Sequence, residues 1–89
     1  MRYRLSIIPS AQKELENLPN TELKRIVPKI EKLSENPRPY GCQKLTNRDG
    51  WRVRAGDYRV VYDILDNQQE VVIVHVGHRK DVYRKFDPL

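Results

Sequence analysis

After a short opening strand pattern, the apolar residues of this chain pass from helical to strand spacing, and that passage limits the folds open to it. Between Ala11 and Leu33 they recur at three- and four-residue intervals, and from Trp51 to Gly77 they fall in three strand-like runs, the first alternating Trp51, Val53 and Ala55 with Arg52 and Arg54. These are the periods of the α-helix and the β-strand. The change falls between Asn36 and Gly41, where Pro37, Pro39 and Gly41 suit neither element, so that segment reads as a connection.

After it, Trp51 to Ala55 leads through a tight Gly56-Asp57 turn into Tyr58 to Leu65, and Asp66-Asn67 turns the chain into Glu70 to Gly77. Short turns between strand-like runs predict a β-meander. Before it, Arg2 to Ile8 alternates as a first strand, with Tyr3, Leu5 and Ile7 on one side, and Pro9-Ser10 ends it. Ser10 is the expected N-cap of a short helix carrying Ala11, Leu15 and Leu18 and ending before Pro19. Asn20 or Thr21 is expected to cap a second helix, in which Leu23, Ile26, Val27, Ile30 and Leu33 form one buried stripe. Pro28 lies inside the stripe, which continues past it, so a kink is expected there. The reading is an α+β fold of order β-α-α-β-β-β: an antiparallel sheet with two N-terminal helices packed on one face and the other face open. With 89 residues, a single domain over 1–89 with one modest core is expected.

Charged residues make up 33% of the chain, above the roughly 25% of ordinary globular domains. Seventeen Lys and Arg against twelve acids leave a net charge of +5, which favours polyanions, nucleic acid first and an acidic protein second. The lone Cys42 has no partner for an internal disulfide, and the chain opens on a strand pattern rather than a leader, so the cytoplasm is the expected location. The longest apolar run, Val71 to Val74, is far short of the roughly 20 residues that span a bilayer, so no membrane role is expected.

Alternation puts Arg52 and Arg54 on one side of their strand, and the hairpin brings Arg59 close to them. Guanidiniums gathered without acids call for an anion, and a phosphate suits their planar donors. After the last strand, Val76-Gly77-His78-Arg79-Lys80-Asp81-Val82-Tyr83 gathers an imidazole, a guanidinium and a phenol within six residues. An imidazole exchanges protons near neutrality, and a guanidinium can stabilise a pentacoordinate phosphorus. Tyr83 can serve as a base only if nearby cations favour its phenolate. His75, among valines, reads as a packed histidine. One Cys and two His with scattered acids give no zinc-type ligand spacing, and neither a phosphate-cradling glycine loop nor a nucleophilic serine motif is present.

Lys44-Leu45, Trp51-Arg52-Val53-Arg54, Gly56-Asp57-Tyr58-Arg59-Val60-Val61-Tyr62 and the run from Val76 to Tyr83 together resemble the RelE/ParE toxin superfamily, nearer its RelE branch. The resemblance covers nearly the whole chain, including Leu18-Pro19 between the helices and the Asn36-Pro37 exit. It implies the toxin of a type II toxin–antitoxin system. Such a toxin cuts messenger RNA in the ribosomal A site, in contact with 16S rRNA, and is neutralised by a cognate antitoxin. The RNA's own 2′-hydroxyl is the nucleophile, and neither metal nor cofactor is used. Carried over by position, Arg52, Arg54 and Arg59 would hold and stabilise the scissile phosphate, Arg79 would stabilise the transition state or aid the leaving oxygen, and Tyr83 would act in proton transfer. With His78 added, the catalytic candidates are Arg59, Arg79, Tyr83 and His78, and the phosphate-binding ones Arg52, Arg54 and Lys44.

One departure matters chemically. Well-known RelE members carry lysines where this chain has Arg52 and Arg54, and one of those lysines has been proposed as the general base. An arginine is too strongly cationic for that task, so Tyr83 becomes the expected base and His78 the expected acid. Two other readings stay open: a ParE-like binding toxin of DNA gyrase, and a plain RNA-binding module. The second would need aromatics exposed for stacking, and most fall on expected core faces.

Overall fold

A computed structural model of the chain describes residues 2–46 and 48–86. Met1, Asn47 and 87–89, which the expected domain over 1–89 includes, lie outside the described residues. The elements are β1 (Arg4–Ile7), α1 (Pro9–Glu16), α2 (Asn20–Leu33), β2 (Gln43–Lys44), β3 (Trp51–Ala55), β4 (Tyr58–Leu65), a 3-10 turn (Asp66–Gln68), β5 (Glu70–His78) and α3 (Arg79–Phe86). They form the expected α+β fold.

The sheet has the order β1-β5-β4-β3-β2 and is mixed rather than wholly antiparallel. The meander strands and β2 pair antiparallel, but β1 pairs parallel with β5, from Arg4↔Glu70 to Ile7↔Ile73. The physical reason is one of path. The chain leaves β1 at one edge, crosses a face as α1 and α2, and returns at the far edge as β2. Three successive reversals then bring β5 back beside β1 in the same direction.

Neither expected side-chain cap forms. Helix α1 starts at Pro9, whose missing N–H costs nothing in a first turn and whose fixed φ suits it, so Ile8 takes the cap position and Ser10 lies inside. Pro19 occupies the cap position of α2, where its carbonyl accepts from the N–H groups of Glu22 (3.0 Å) and Leu23 (3.1 Å); Asn20 and Thr21 lie within the helix. Helix α2 runs through Pro28 without breaking, with Ile26, Ile30 and Leu33 buried on both sides of it, while Val27 of the expected stripe is exposed.

The main core lies between the helices and one sheet face: Ala11, Leu15, Ile26, Ile30 and Leu33 against Val53, Val60, Tyr62, Val71, Ile73 and Val76. Tyr62 donates its hydroxyl to the Pro37 carbonyl at 2.7 Å, fastening the proline-rich connection over this core. The opposite face is not left open. Residues beyond the last strand form α3, whose Val82 and Phe86 pack with Leu45, Val61 and Val74 in a second, smaller core.

The two faces are exchanged within β5. Val61 pairs with His75 while Tyr62 pairs with Ile73, so Val74 is an extra residue, a β-bulge. Beyond it the alternation is inverted. Ile73 and Val76 both reach the main core, whereas His75 and Gly77 lie on the face of Val61, Arg59 and α3.

Candidate functional site

Strand β2 pairs only with Trp51 and Arg52, so the rest of β3 borders a cleft of about 510 Å³. Arg52, Arg54, Arg59 and Tyr83, expected from the sequence, line it together with Lys29, Tyr40, Gly41, Gln43, Val53 and Gly56. Its four cationic linings, Lys29, Arg52, Arg54 and Arg59, face no carboxylate among the lining residues.

Each guanidinium has a structural reason for its place. Arg54 and Arg59 are directly paired across β3 and β4, where like charges repel and the field of both falls on one spot. Arg59 donates NH1 to the carbonyls of Gly56 and Tyr58, both at 3.0 Å, and so braces the hairpin turn. Arg52 donates Nε (3.1 Å) and NH2 (2.6 Å) to Gln43 Oε1, which lays the guanidinium over the Tyr83 ring at 5.1 Å. Tyr83 is brought there by α3, anchored by the neighbouring buried Val82. Gln43 and Lys29 carry no sequence signal of their own; the Arg52 register partner on β2 was the only route to Gln43.

Three expected residues do not line this cleft. Lys44, next to Gln43 on β2, borders another hollow with Arg38, Arg48, Trp51, Asp49 and Asp63, since successive residues of a strand point to opposite faces. Carboxylates line that hollow, and the Arg38 and Tyr3 hydrogen bonds nearby hold the Asp66 carboxyl below its ordinary range. His78 pairs with Tyr58, one residue beyond the Gly77 that faces Arg59. Its ring meets Tyr58 edge-on at 5.9 Å and its Nδ1 accepts from the Lys80 N–H at 3.3 Å. Closeness in sequence to Tyr83 therefore does not bring His78 to the cleft, because the strand-to-helix junction points them apart. Arg79 is exposed at the start of α3, its N–H bonded at 2.9 Å to the carbonyl of Asp57, beside the cleft residue Gly56.

His75 is buried behind the site, as expected of a packed histidine. Its Nδ1 lies 2.8 Å from Glu14 Oε2, Phe86 covers the ring at 5.0 Å, and Nε2 has no partner among the described residues. Burial pushes the imidazole below its ordinary pKa, and Glu14 only partly opposes this. The neutral ring thus donates Nδ1–H to the carboxylate, whose other oxygen accepts from the Val76 N–H at 3.0 Å. Glu14 of α1 thereby closes the part of the β5 edge that β1 does not reach.

Comparison with known proteins gives concordant matches. The family model of the ParE toxin of the type II toxin–antitoxin system matches residues 5–83. The toxin RelE of Mycobacterium tuberculosis is 33% identical over 84 residues, covering 92% of this chain and 87% of its own. Among solved structures, the archaeal RelE–RelB complex from Pyrococcus horikoshii aligns with a TM-score of 0.77 at 29% identity, over 89% of this chain and 97% of that one. The toxin–antitoxin complex RelBE2 from Mycobacterium tuberculosis gives 0.78 at 29%, over 89% and 100%.

Proposed function

The chain belongs to the RelE/ParE toxin superfamily, as a RelE-like toxin of a type II toxin–antitoxin system, and from that membership we propose that it is an endoribonuclease acting on messenger RNA in the ribosomal A site. The observation that carries the reading is the cleft with four cations, two phenols and no carboxylate among its described lining residues, Tyr83 being the phenol that lies under Arg52. Such a lining repels a divalent metal ion and attracts a phosphodiester, so the chemistry rests on the side chains.

Arg54 and Arg59 hold the non-bridging oxygens of the scissile phosphate, with Arg52 completing the cradle. Tyr83 takes the proton of the adjacent 2′-hydroxyl, helped by the Arg52 cation over its ring. The 2′ oxygen attacks phosphorus, the 5′ oxygen leaves, and a 2′,3′-cyclic phosphate remains. The guanidiniums neutralise the charge that grows on the phosphorane; removing one such donor costs about 100- to 1,000-fold in rate. Arg79, at the exposed start of α3, stabilises the leaving oxygen. His78, turned to the helix face, supplies its proton only through intervening water, and Lys44 meets the substrate away from the cut. The solved RelE–RelB complex supports a cognate antitoxin as partner, an acidic segment over the cleft being the complementary inhibitor.

The match to a ParE model favours one rival, a toxin that binds DNA gyrase without cutting RNA. Induction of the wild type, Arg59→Ala and Tyr83→Phe in a bacterial host, with transcript 5′ ends, growth and plasmid supercoiling followed together, separates the two. New ends within translated regions, lost in both variants, are the expected result. Growth arrest with intact transcripts and altered supercoiling overturns it in favour of gyrase.

A further inference from the structure

The aromatic side chains of the described residues are all engaged, with one exception. Tyr62 is buried; Tyr3, Trp51 and Tyr58 pack against the main core; Phe86 packs on the second core; Tyr83 lies under Arg52. Tyr40 alone is fully exposed, and neither a ring partner nor a hydrogen bond of its side chain is found among the described residues. A whole phenol ring in water is an unusual choice for a side chain that normally buries its body.

The backbone that carries the ring is held in a defined turn. The Cys42 N–H donates to the Pro39 carbonyl at 3.0 Å, and Gly41 has φ +90°, so Pro39 to Cys42 is a closed turn needing a glycine at its third position. Pro39 limits the chain just before Tyr40. This turn stands on the wall of the cationic cleft, where Tyr40 and Lys29 join Arg52, Arg54 and Arg59. Cations that follow a backbone beside an aromatic platform are the combination by which proteins hold single-stranded nucleic acid. The cleft's 510 Å³ falls within the range of about 300–1,000 Å³ of sites for one small ligand.

The geometry points to Tyr40 as the base-stacking residue of the cleft: its ring takes the unpaired nucleobase next to the phosphate that the arginines hold. The inference rests on the nuclease reading above and adds the group that fixes the RNA's register. Stacking acts on bound substrate as much as on the transition state, so its loss raises KM rather than lowering kcat.

The test uses ribosomes programmed with a messenger whose cut site carries either its natural nucleotides or an abasic nucleotide on one side of the cleaved bond, then the other. Tyr40→Ala is expected to lose about tenfold in kcat/KM, through KM, against a range of about 5- to 150-fold for one stacked base. Tyr40→Phe and Tyr40→Trp should keep wild-type rates, and an abasic nucleotide at one of the two positions should erase the difference between wild type and Tyr40→Ala. If Tyr40→Ala matches the wild type while Arg59→Ala is impaired, the stacking role is overturned and the nuclease reading stands. If the wild type cuts nothing, both fall. If Tyr40→Ala cuts normally but escapes its antitoxin, the ring belongs to a protein interface and the inference is wrong.

Discussion

Arg54 and Arg59 face one another across two strands, an arrangement that works against the folded state for as long as nothing anionic lies between them. Arg54→Ala should therefore leave stability unchanged or raise it by about 0.2–1 kcal/mol while cleavage falls about 100-fold; thermal melts at low and high salt beside a cleavage assay check both halves. His75 sets the opposite kind of limit. Its pKa is pushed down by burial, with Lys85 adding to the shift and Glu14 and Asp81 opposing it, so the folded chain resists a proton that the unfolded chain accepts below about 6.5. The stability this gives is complete above that pH and is lost as pH falls below it. Melting temperatures measured from pH 7.5 to 5.5 should drop in the wild type and drop less in His75→Gln. The arginines were legible because simple alternation holds through β3 and the hairpin into β4; His78 was misplaced because the inverted alternation of β5 and the start of α3 follow no local pattern. Tyr40 carried no signal, since exposure in a turn leaves no period behind.

At the scale of elements, the bulge at Val74 decides what β5 presents to each face, and Gly77 is its second device. A Cβ there would come within 2.7 Å of His75 Nε2, and Phe86 on the ring keeps the imidazole from yielding. Gly77→Ala should cost about 1–3 kcal/mol by overpacking, read from urea unfolding, and much of that cost should vanish when His75 is also replaced by Ala. Tyr62→Phe should cost about 1 kcal/mol through the bond to the Pro37 carbonyl, seen as a lower urea midpoint with an unchanged slope. The sequence made the two helices and the meander plain because each carries its period over several turns or residues. It hid β2, whose two residues are too few for a pattern, and α3, where Val82 and Phe86 alone mark the buried side among charged neighbours.

Over the whole molecule, a +5 charge and a cleft with no carboxylate among its described lining residues would make the proposed RNA binding an exchange of counterions. Binding of a short single-stranded RNA carrying a 2′-deoxy nucleotide at the cut site should weaken linearly with the logarithm of salt concentration. Arg54→Ala should make that slope shallower by about 0.7, as fluorescence anisotropy would show; an unchanged slope would remove Arg54 from the phosphate contacts. Strand order was the part of the architecture that no local pattern could supply. Periodicity names strands but not their neighbours, and β1 finds its place only beside the last strand. Ser6 hydrogen-bonds Glu70, 64 residues further on. At synthesis rates of about 5–20 residues per second, β1 waits roughly 3–13 seconds for its neighbour to be made. The newborn toxin thus carries an unpaired strand, and its sheet cannot close until the ribosome has passed β5, more than sixty residues after β1 was made.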